Sequence, residues 1–265
     1  MKKITINQLQ EFKNNHDKFS CLTAYDASMA HMVNKAEIEV VLVGDSLGMV
    51  VQGQDSTIPV SVSDMAYHCK IVSQASPHSL VMVDMPFMSY ASLDTALENA
   101  STLMQAGADI LKIEGGAWLE ETVHKLTERG VPVCAHLGLT PQWVKSFGGY
   151  KIQGKTDDEA DKIVADAQQL VNAGASIVLL ECVPQEVARR VTQSVKVPVI
   201  GIGCGPVTDA QVLVSYDILG LTMGKTPRFA KNYLQESKGD IETAFRLFRD
   251  EVHDGVFPGE EHTLC

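Results

Sequence analysis

The feature that most constrains the fold is a regular alternation of short apolar runs with longer amphipathic stretches along the 265-residue chain. Eight of these runs are rich in β-branched residues and are rarely broken by polar ones, which is typical of parallel strands covered on both faces. The predicted strands are FSCLTAYD (19–26), EVVLVGDS (39–46), LVMVDMPF (80–87), DILKIEGG (109–116), VPVCAHLG (131–138), SIVLLECV (176–183), VPVIGIGCG (197–205) and DILGLTMG (217–224).

The stretches between the runs have the period of amphipathic helices, as in residues 91–109, 118–130 and 157–175, and each of these closes on glycine. Eight alternating strands and helices predict an α/β fold, a (β/α)8 TIM barrel forming a single domain over residues 1–265. An open doubly wound sheet is the alternative. The remaining elements are extra to the barrel: an N-terminal helix (4–15), two C-terminal helices (near 226–237 and 240–254) and a long loop (139–156).

Two charged side chains interrupt the fourth apolar run, and in a buried strand each needs an oppositely charged group or a ligand. Lys112 and Glu114 point to the same face of a strand, because side chains alternate with a period of two. Burying both charges costs several kcal/mol each unless they are paired or hold a ligand. Active sites of such barrels lie at the carboxyl ends of the strands, where this chain places a polar set: Asp26, Asp45, Ser46, Asp84, Lys112, Glu114, His136 and Glu181. The alternative for any one of them is a helix cap or a turn.

Three of these carboxylates, Asp45, Asp84 and Glu114, come from the second, third and fourth predicted strands. Converging carboxylates raise one another's pKa unless a cation lies among them, and oxygen ligands select Mg²⁺ before Mn²⁺ or Ca²⁺. Lys112 would then attract an anionic substrate. A purely structural network of ion pairs is the alternative.

Two further residues are candidates for contact with a ligand. His136 is either a satisfied core histidine or a ligand contact, and Glu181 is a candidate general base. The glycine-rich GIGCG (201–205) lacks the spacing and position of a dinucleotide-binding loop, so that function is rejected. A phosphate-binding turn and a plain tight turn both remain open there.

The charge of the chain excludes some classes of partner. A formal net charge of −11 argues against nucleic acid and anionic membranes, which require basic surfaces. No secretory signal and no membrane-length apolar run is found, and the six cysteines lack zinc or C-x-x-C spacing, which predicts reduced thiols and a cytoplasmic location.

Several collinear blocks resemble the ketopantoate hydroxymethyltransferase family, and the resemblance spans nearly the whole chain. The blocks are TAYD (23–26), VGDSLGMVVQGQDSTIPVSV (43–62), DMPFMSY (84–90), KIEGG (112–116), AHLGLTPQ (135–142), GGYKIQG (148–154), LLECVP (179–184), GIGCG (201–205) and PGEEH (258–262). The departures are Cys204, where alanine is expected, the segment MGKTPRF (223–229) and the tail EHTLC (261–265). These departures bear on co-substrate contacts and subunit packing rather than on the predicted metal and keto-acid residues.

The resemblance implies a barrel of the phosphoenolpyruvate mutase and isocitrate lyase superfamily, commonly a homodecamer. It implies a Mg²⁺ site formed by Asp45, Asp84 and Glu114, and Glu181 as the catalytic base. The residues that it implies for keto-acid binding are Asp45, Ser46, Asp84, Lys112 and His136. It also implies 5,10-methylenetetrahydrofolate as the one-carbon donor.

The resulting hypothesis is transfer of a hydroxymethyl group to 3-methyl-2-oxobutanoate through an enolate stabilised by Mg²⁺ and Lys112, with Glu181 removing the C3 proton or assisting folate ring opening. This reaction gives 2-dehydropantoate and tetrahydrofolate in pantothenate biosynthesis. The alternatives are a magnesium-dependent lyase or mutase of the related superfamily and a non-catalytic keto-acid or anion-binding protein.

Overall fold

A computed structural model describes residues 2–264 as a closed barrel of eight parallel strands, in which each strand pairs with the next and β8 pairs with β1. The predicted barrel is therefore confirmed over the open sheet. The strands are β1 (Phe19–Thr23), β2 (Val40–Val43), β3 (Leu80–Asp84), β4 (Ile110–Glu114), β5 (Val133–Gly138), β6 (Ile177–Glu181), β7 (Val199–Ile202) and β8 (Ala210–Leu213).

The helices surround the barrel and occupy most of the connections between strands. In chain order they are α1 (Ile6–Asn15), α2 (Ala27–Lys35), α3 (Leu47–Val50), α4 (Val62–Ala75), α5 (Leu93–Gln105), α6 (Glu120–Thr127), α7 (Val144–Phe147), α8 (Asp157–Asn172), α9 (Gln185–Ser194), α10 (Ser215–Ile218), α11 (Tyr233–Glu236) and α12 (Ile241–His253). Short 3₁₀ turns lie at Ala117–Leu119, Pro141–Trp143 and Glu260–His262.

Helix α5 illustrates how local sequence produces these elements. Ser92 caps its N-terminus by accepting a hydrogen bond from the backbone N–H of Thr95. Its apolar residues recur on one face, which is buried against the barrel, and the helix ends just before Gly107, whose φ of +115° suits glycine. The predicted helix over residues 91–109 is therefore present with shorter bounds.

The predicted eighth strand at 217–224 is wrong, because the strand that closes the barrel is β8. The connection from β7 to β8 covers only residues 203–209 and contains no helix, so β8 falls where a helix was expected. The predicted run instead begins within α10 and turns at Gly220, whose φ is +65°. Beyond that turn Leu221 and Met223 are exposed, which a barrel strand would not allow.

The C-terminal region also differs in detail from the prediction. Within 226–237 only α11 forms, whereas α12 matches the predicted helix near 240–254. Helix α12 packs against β1 and α2. It is therefore one of the helices that surround the barrel, whereas the prediction treated it as extra to the barrel. Helix α1 confirms the predicted N-terminal helix, and the loop at 139–156 contains one 3₁₀ turn and the single-turn helix α7.

Glycines shape the turn after β7, as the tight-turn interpretation of GIGCG requires. Gly203 and Gly205 have φ values of +65° and +81°, and the carbonyl of Gly205 accepts a hydrogen bond from the Gln211 side chain at 3.0 Å. The thiol of Cys204 packs inward and contacts the carbonyl of Leu180 at 3.7 Å. The turn is thus held by its own backbone and by buried neighbours.

The cysteines within the described residues are buried, and burial raises the pKa of Cys69, Cys134 and Cys204 to about 12, so that they are thiols at neutral pH. Cys265, counted with them in the prediction, lies outside the described residues. Among residues 2–264, no helix has both the length and the apolar character needed to cross a membrane.

An ion pair at the amino-terminal face of the barrel joins α12 to the first two strands. His253 Nε2 lies 3.0 Å from Glu39 Oε1, and the other oxygen of Glu39 accepts hydrogen bonds from the backbone N–H and hydroxyl of Ser20. The hydrogen bond to Glu39 raises the pKa of His253 and outweighs the effect of partial burial.

Replacing His253 should therefore change stability in a pH-dependent way. A histidine whose folded-state pKa is raised stabilises the fold below its unfolded pKa, and this contribution is lost as the pH rises through the folded value. We expect His253→Gln to lose about 1 kcal/mol near pH 6 and progressively less at higher pH. Differential scanning calorimetry across this range checks the prediction, with the exposed His31→Gln as the control. A pH-independent loss would contradict it.

Candidate active site

The register of neighbouring strands brings the predicted polar residues together at the carboxyl end of the barrel. Asp84 is in register with Lys112, Glu114 with His136, and Gly138 with Glu181. Asp45 and Ser46 follow β2 directly at the start of α3. Asp26 does not join this group, because it is exposed and caps α2 by accepting a hydrogen bond from the backbone of Met29 at 2.8 Å.

Lys112 is the centre of the cluster. Its ammonium nitrogen lies 3.1 Å from Asp84 Oδ1, 3.4 Å from Glu114 Oε1 and 3.1 Å from His136 Nδ1. All four side chains are buried, and Lys112 is only 4% exposed. An ammonium in this position compensates carboxylates that could not otherwise remain ionised away from water.

A second chain of contacts runs from the cluster towards the open end of the barrel. His136 Nδ1 lies 3.3 Å from Glu114 Oε1, and His136 Nε2 lies 3.4 Å from Glu181 Oε2. The Glu181 side chain is 16% exposed against 2% for His136. Glu181 is therefore the member of this chain that is accessible from the cavity, as a general base must be.

Asp45 and Ser46 are held by contacts from several directions. The backbone N–H of Asp45 donates to Asp84 Oδ2 at 3.0 Å, and the Ser46 hydroxyl is hydrogen-bonded to that of Tyr25 at 2.8 Å. A Cβ atom on Gly44 would lie 2.8 Å from Ser46 Oγ, so a residue with a side chain would displace Ser46 from this position.

The three acidic groups of the cluster differ in the direction of their pKa shifts. Burial raises the pKa of Asp45 well above its usual range, and the nearby charges of Asp84 and Glu114 raise it further. Burial also raises the pKa of Asp84, although Lys112 opposes this effect. Burial acts on Glu114 in the same direction, but Lys112 and His136 outweigh it and lower its pKa. Lys112 thus contacts two of the three acids, Asp84 and Glu114, and the third, Asp45, has the most strongly raised pKa, so the site holds more carboxyl groups than its cations compensate.

The two cations of the cluster respond in the opposite sense. Burial lowers the pKa of Lys112, but the charges of Asp84, Glu114 and Asp45 outweigh it and raise the pKa well above its ordinary value. Burial and Lys112 both lower the pKa of His136, whereas its contacts with Glu114 and Glu181 outweigh them and raise it. Lys112 is therefore charged at neutral pH.

Among residues 2–264, no group of three or more His, Cys, Asp or Glu side chains is arranged as a ready-made metal site. The chemistry of the three carboxylates nevertheless fits a hard cation, since every available ligand atom is oxygen. One of these oxygens, Asp84 Oδ1, is buried without a hydrogen-bond partner and contacts only the Lys112 ammonium. His136 Nε2 is also buried, and its contact with Glu181 Oε2 at 3.4 Å does not have the geometry of a hydrogen bond.

Two residues that the sequence analysis did not single out complete the cluster. Gln142 and Tyr90 are both buried, and the side-chain amide of Gln142 contacts Asp45 at 2.8 Å and the Tyr90 hydroxyl at 2.6 Å. Both lie inside quoted blocks, AHLGLTPQ and DMPFMSY, but no charge or spacing distinguished them from ordinary loop residues.

The cluster forms the floor of a cavity of about 490 Å³ that opens at the carboxyl end of the barrel. Its outer walls carry apolar side chains and several cations. They include Met49, Tyr150, Lys151, Met223, Lys225 and Arg228. The polar floor and the apolar, basic rim together form a site of the size that binds drug-sized ligands.

Comparison with known proteins matches residues 3–260 to the family model of ketopantoate hydroxymethyltransferase. The chain belongs to this family. It is 58% identical over 264 residues to the 3-methyl-2-oxobutanoate hydroxymethyltransferase of Photobacterium profundum, with 100% of both chains covered. It is 54% identical to the protein of the same name from Yersinia enterocolitica, again over 100% of both chains. The family resemblance predicted from the sequence is thus confirmed, and so is its assignment to a family of transferases.

Solved structures with the same fold belong to more distant proteins. Phosphonopyruvate hydrolase superposes with a TM-score of 0.64 at 12% identity, covering 98% of this chain and 93% of the other. The 2,3-dimethylmalate lyase, a member of the phosphoenolpyruvate mutase and isocitrate lyase superfamily, superposes with a TM-score of 0.57 at 18% identity, covering 78% and 80%. At these identities the likeness concerns the fold alone.

Removing the central ammonium should destabilise the protein strongly. Lys112→Met removes the ammonium from Asp84 and leaves Glu114 with His136 alone, and removing one partner of a buried ion pair costs about 3–5 kcal/mol. Without Lys112, the pKa values of Asp84 and Glu114 should rise in the folded variant, so both acids take up protons near pH 5 and remain charged near pH 8. The loss of stability should therefore be largest near pH 8 and smaller near pH 5.

Chemical denaturation of the metal-free protein at both pH values measures this loss. The matched control is Lys151→Met, an exposed lysine at the cavity rim, which should change the free energy of unfolding by less than about 0.5 kcal/mol. An equal, small effect of both substitutions would contradict a compensating role for Lys112.

Proposed function

We propose that this chain transfers a hydroxymethyl group from 5,10-methylenetetrahydrofolate to 3-methyl-2-oxobutanoate, giving 2-dehydropantoate and tetrahydrofolate in pantothenate biosynthesis. The observation that carries the proposal is the buried cluster of Asp45, Asp84, Lys112 and Glu114, linked through His136 to the accessible Glu181. Family membership makes this reaction the first one to test.

Lys112 and its neighbours would bind the keto acid. The Lys112 ammonium is the charged donor at the cavity floor, and it would attract the substrate carboxylate and oppose negative charge on the keto oxygen. Asp45, Ser46, Asp84 and His136 surround this position as the further keto-acid contacts. His136 Nε2 is buried and its 3.4 Å contact with Glu181 is not a full hydrogen bond, so a substrate oxygen would complete its hydrogen bonding, which supports that assignment.

Asp45, Asp84 and Glu114 would hold Mg²⁺. The bound ion would supply Lewis-acid polarisation of the keto group, which makes the neighbouring C–H bond more acidic. The excess of carboxyl groups over cations supports this assignment, and so does Asp84 Oδ1, which is buried beside the Lys112 ammonium at 3.1 Å without a hydrogen bond of normal geometry. Because Lys112 contacts two of the three carboxylates, its ammonium would share them with the ion and remain available to the substrate anion.

Glu181 would accept the proton from C3 of the keto acid. Its contact with His136 at 3.4 Å would orient the carboxylate, and its partial exposure brings it to the cavity. The C3–H electron pair then becomes the enolate, whose negative charge on oxygen is opposed by Lys112. One C–N bond of the folate methylene bridge breaks as its ring opens, and that nitrogen takes up the proton held by Glu181, while C3 bonds to the methylene carbon. Water then replaces the second C–N bond: its hydroxyl stays on the carbon as the hydroxymethyl group, and its proton goes to the nitrogen that leaves with tetrahydrofolate.

The exchange of the C3 proton tests the role of Glu181 without the folate co-substrate. We expect Glu181→Gln to slow exchange of this proton with solvent deuterium by about 10²–10⁴-fold, because a positioned base contributes that much. Proton NMR of the keto acid with Mg²⁺ measures it, and the exposed Glu186→Gln on α9 is the control.

The outcomes of this experiment separate the alternatives. Undiminished exchange in Glu181→Gln, together with lost transfer, would move Glu181 to the opening of the folate ring. If the unaltered protein neither exchanges the proton nor forms 2-dehydropantoate, the proposed reaction is wrong, and a lyase, a mutase or a non-catalytic binding protein takes its place.

The outer part of the cavity would receive the folate co-substrate. A small keto acid bound at the floor leaves most of the 490 Å³ unfilled, and the rim combines apolar side chains with Lys151, Lys225 and Arg228. An aromatic body and an acidic tail suit this surface. In a chain of net charge −11, three cations around one opening favour an anionic ligand there.

We expect Arg228→Ala to raise the KM for 5,10-methylenetetrahydrofolate about tenfold, as the loss of one charge-assisted contact would. The rate of C3 proton exchange without folate should not change, since Arg228 lies at the rim and the keto acid at the floor. Steady-state kinetics with each substrate varied measures both. A matched rise in the KM of the keto acid would argue against a separate folate region.

The proposal extends to a homo-oligomer, with the decamer implied by the family. Exposed apolar side chains near the cavity support a contact surface between subunits, notably Trp118 and Trp143, whose ring centroids lie 6.2 Å apart.

A further inference from the structure

Gln142 is the one described residue whose hydrogen bonds reach both Asp45 and Glu114, and nothing in its chemistry suggests a reacting group. It lies in the 3₁₀ turn Pro141–Trp143 after β5, and its side chain is almost completely buried at 3% exposure. A buried amide is costly unless all its polar atoms are hydrogen-bonded. The contacts that offset this cost are therefore informative about its role.

The side-chain amide of Gln142 is fully hydrogen-bonded. Its Nε2 donates to Asp45 Oδ2 at 2.8 Å and to the carbonyl oxygen of Met85 at 3.0 Å, while its Oε1 accepts from the Tyr90 hydroxyl at 2.6 Å. The backbone N–H of Gln142 donates to Glu114 Oε2 at 3.0 Å. One loop residue thus binds groups that follow β2 and β3 and a side chain at the end of β4.

The orientation of the amide is fixed by chemistry. The carbonyl of Met85 can only accept a hydrogen bond, so the nitrogen of the amide must face it, and the oxygen must face Tyr90. The single hydroxyl proton of Tyr90 has two acceptors within reach, Gln142 Oε1 at 2.6 Å and the carbonyl oxygen of Glu114 at 3.2 Å, and the shorter distance favours Gln142. The hydroxyl oxygen also accepts from the backbone N–H of Glu114 at 3.3 Å. The donor hydrogens of Gln142 are therefore committed to Asp45 and Met85.

We infer that Gln142 is a positioning residue that orients the carboxylates of Asp45 and Glu114 for a divalent cation. Its side-chain amide donates to Oδ2 of Asp45, and its backbone N–H donates to Oε2 of Glu114. These two hydrogen bonds fix the rotation of both carboxylates. The second oxygen of Glu114 is thereby left beside Lys112 and His136. The inference rests on the proposed function, since the cation is the one proposed there.

The neutrality of Gln142 matters for this role. A lysine or arginine at this position would satisfy the same oxygens but would add a positive charge that competes with the cation. A carboxylate would add to the surplus of negative charge. The amide donates to Asp45 and to the Met85 carbonyl with no net charge, so it holds the Asp45 carboxylate and leaves its charge for the metal, while the backbone N–H holds Glu114.

Direct metal binding tests the inference without any measurement of activity. The probe is Mn²⁺, titrated into the full chain in the absence of substrate and followed by electron paramagnetic resonance of free and bound ion. Gln142→Met keeps the length of the side chain and removes its donors. We expect it to weaken Mn²⁺ binding about 10–100-fold, as is usual when a partner of a metal ligand is lost.

The matched control is Gln211→Met, which removes an amide that is also 3% exposed but whose bonds go to Gly205 and Thr208, away from the carboxylates. It should lower the melting temperature without changing Mn²⁺ affinity. Tyr90→Phe keeps its ring and removes only the bond to Gln142 Oε1 and the bonds of the hydroxyl to Glu114, so a smaller weakening, about 3–10-fold, is expected. This milder variant decides the matter if Gln142→Met does not fold.

Unchanged Mn²⁺ affinity in folded Gln142→Met, or in Tyr90→Phe if the former does not fold, would overturn the inference and leave the proposed function intact. Equal weakening by Gln211→Met would also overturn it, because the effect would then be a general consequence of a lost buried amide. If the unaltered protein binds no Mn²⁺, both the inference and the proposed metal site are wrong.

Discussion

The contact between the Lys112 ammonium and the carboxylates of Asp84 and Glu114 is the interaction on which the rest of the site depends. Desolvating one charge costs several kcal/mol, and the cluster buries several. Lys112 offsets this cost only in part, because it is one cation among three acids. The proposed function accounts for this imbalance, because a bound cation would add the positive charge that the acids lack.

The barrel makes this concentration of charge possible. Its strands are parallel and in register, so side chains at the ends of β3, β4, β5 and β6 face one opening while the strands themselves stay apolar. The apolar core supplies the stability, and the charged layer is confined to one end. The residues of the candidate site and the residues that stabilise the fold thus lie at different positions along the barrel axis.

Much of this arrangement was predictable, because it follows from local pattern. Unbroken apolar runs identify seven of the eight strands, and a period of two places Lys112 and Glu114 on one face. The eighth strand was mispredicted because its four residues follow a connection too short for a helix, so the expected alternation fails there. Glu181 and His136 were found since polar residues at strand ends are conspicuous. Gln142 and Tyr90 were not, because their role exists only through contacts with residues distant in the chain.

The contrast between Lys112 and Gln142 shows how the site divides two tasks. Both donate to Glu114, while Lys112 also contacts Asp84 and Gln142 also contacts Asp45, yet one residue brings a charge and the other brings none. A second lysine in place of Gln142 would neutralise the cluster and leave little attraction for a metal ion. A second neutral donor in place of Lys112 would leave the acids without any cation until a metal arrived, and folding would then depend on the metal. Under the proposed function, one charged and one neutral donor would let the chain fold without the metal and still favour a divalent cation and an anionic substrate.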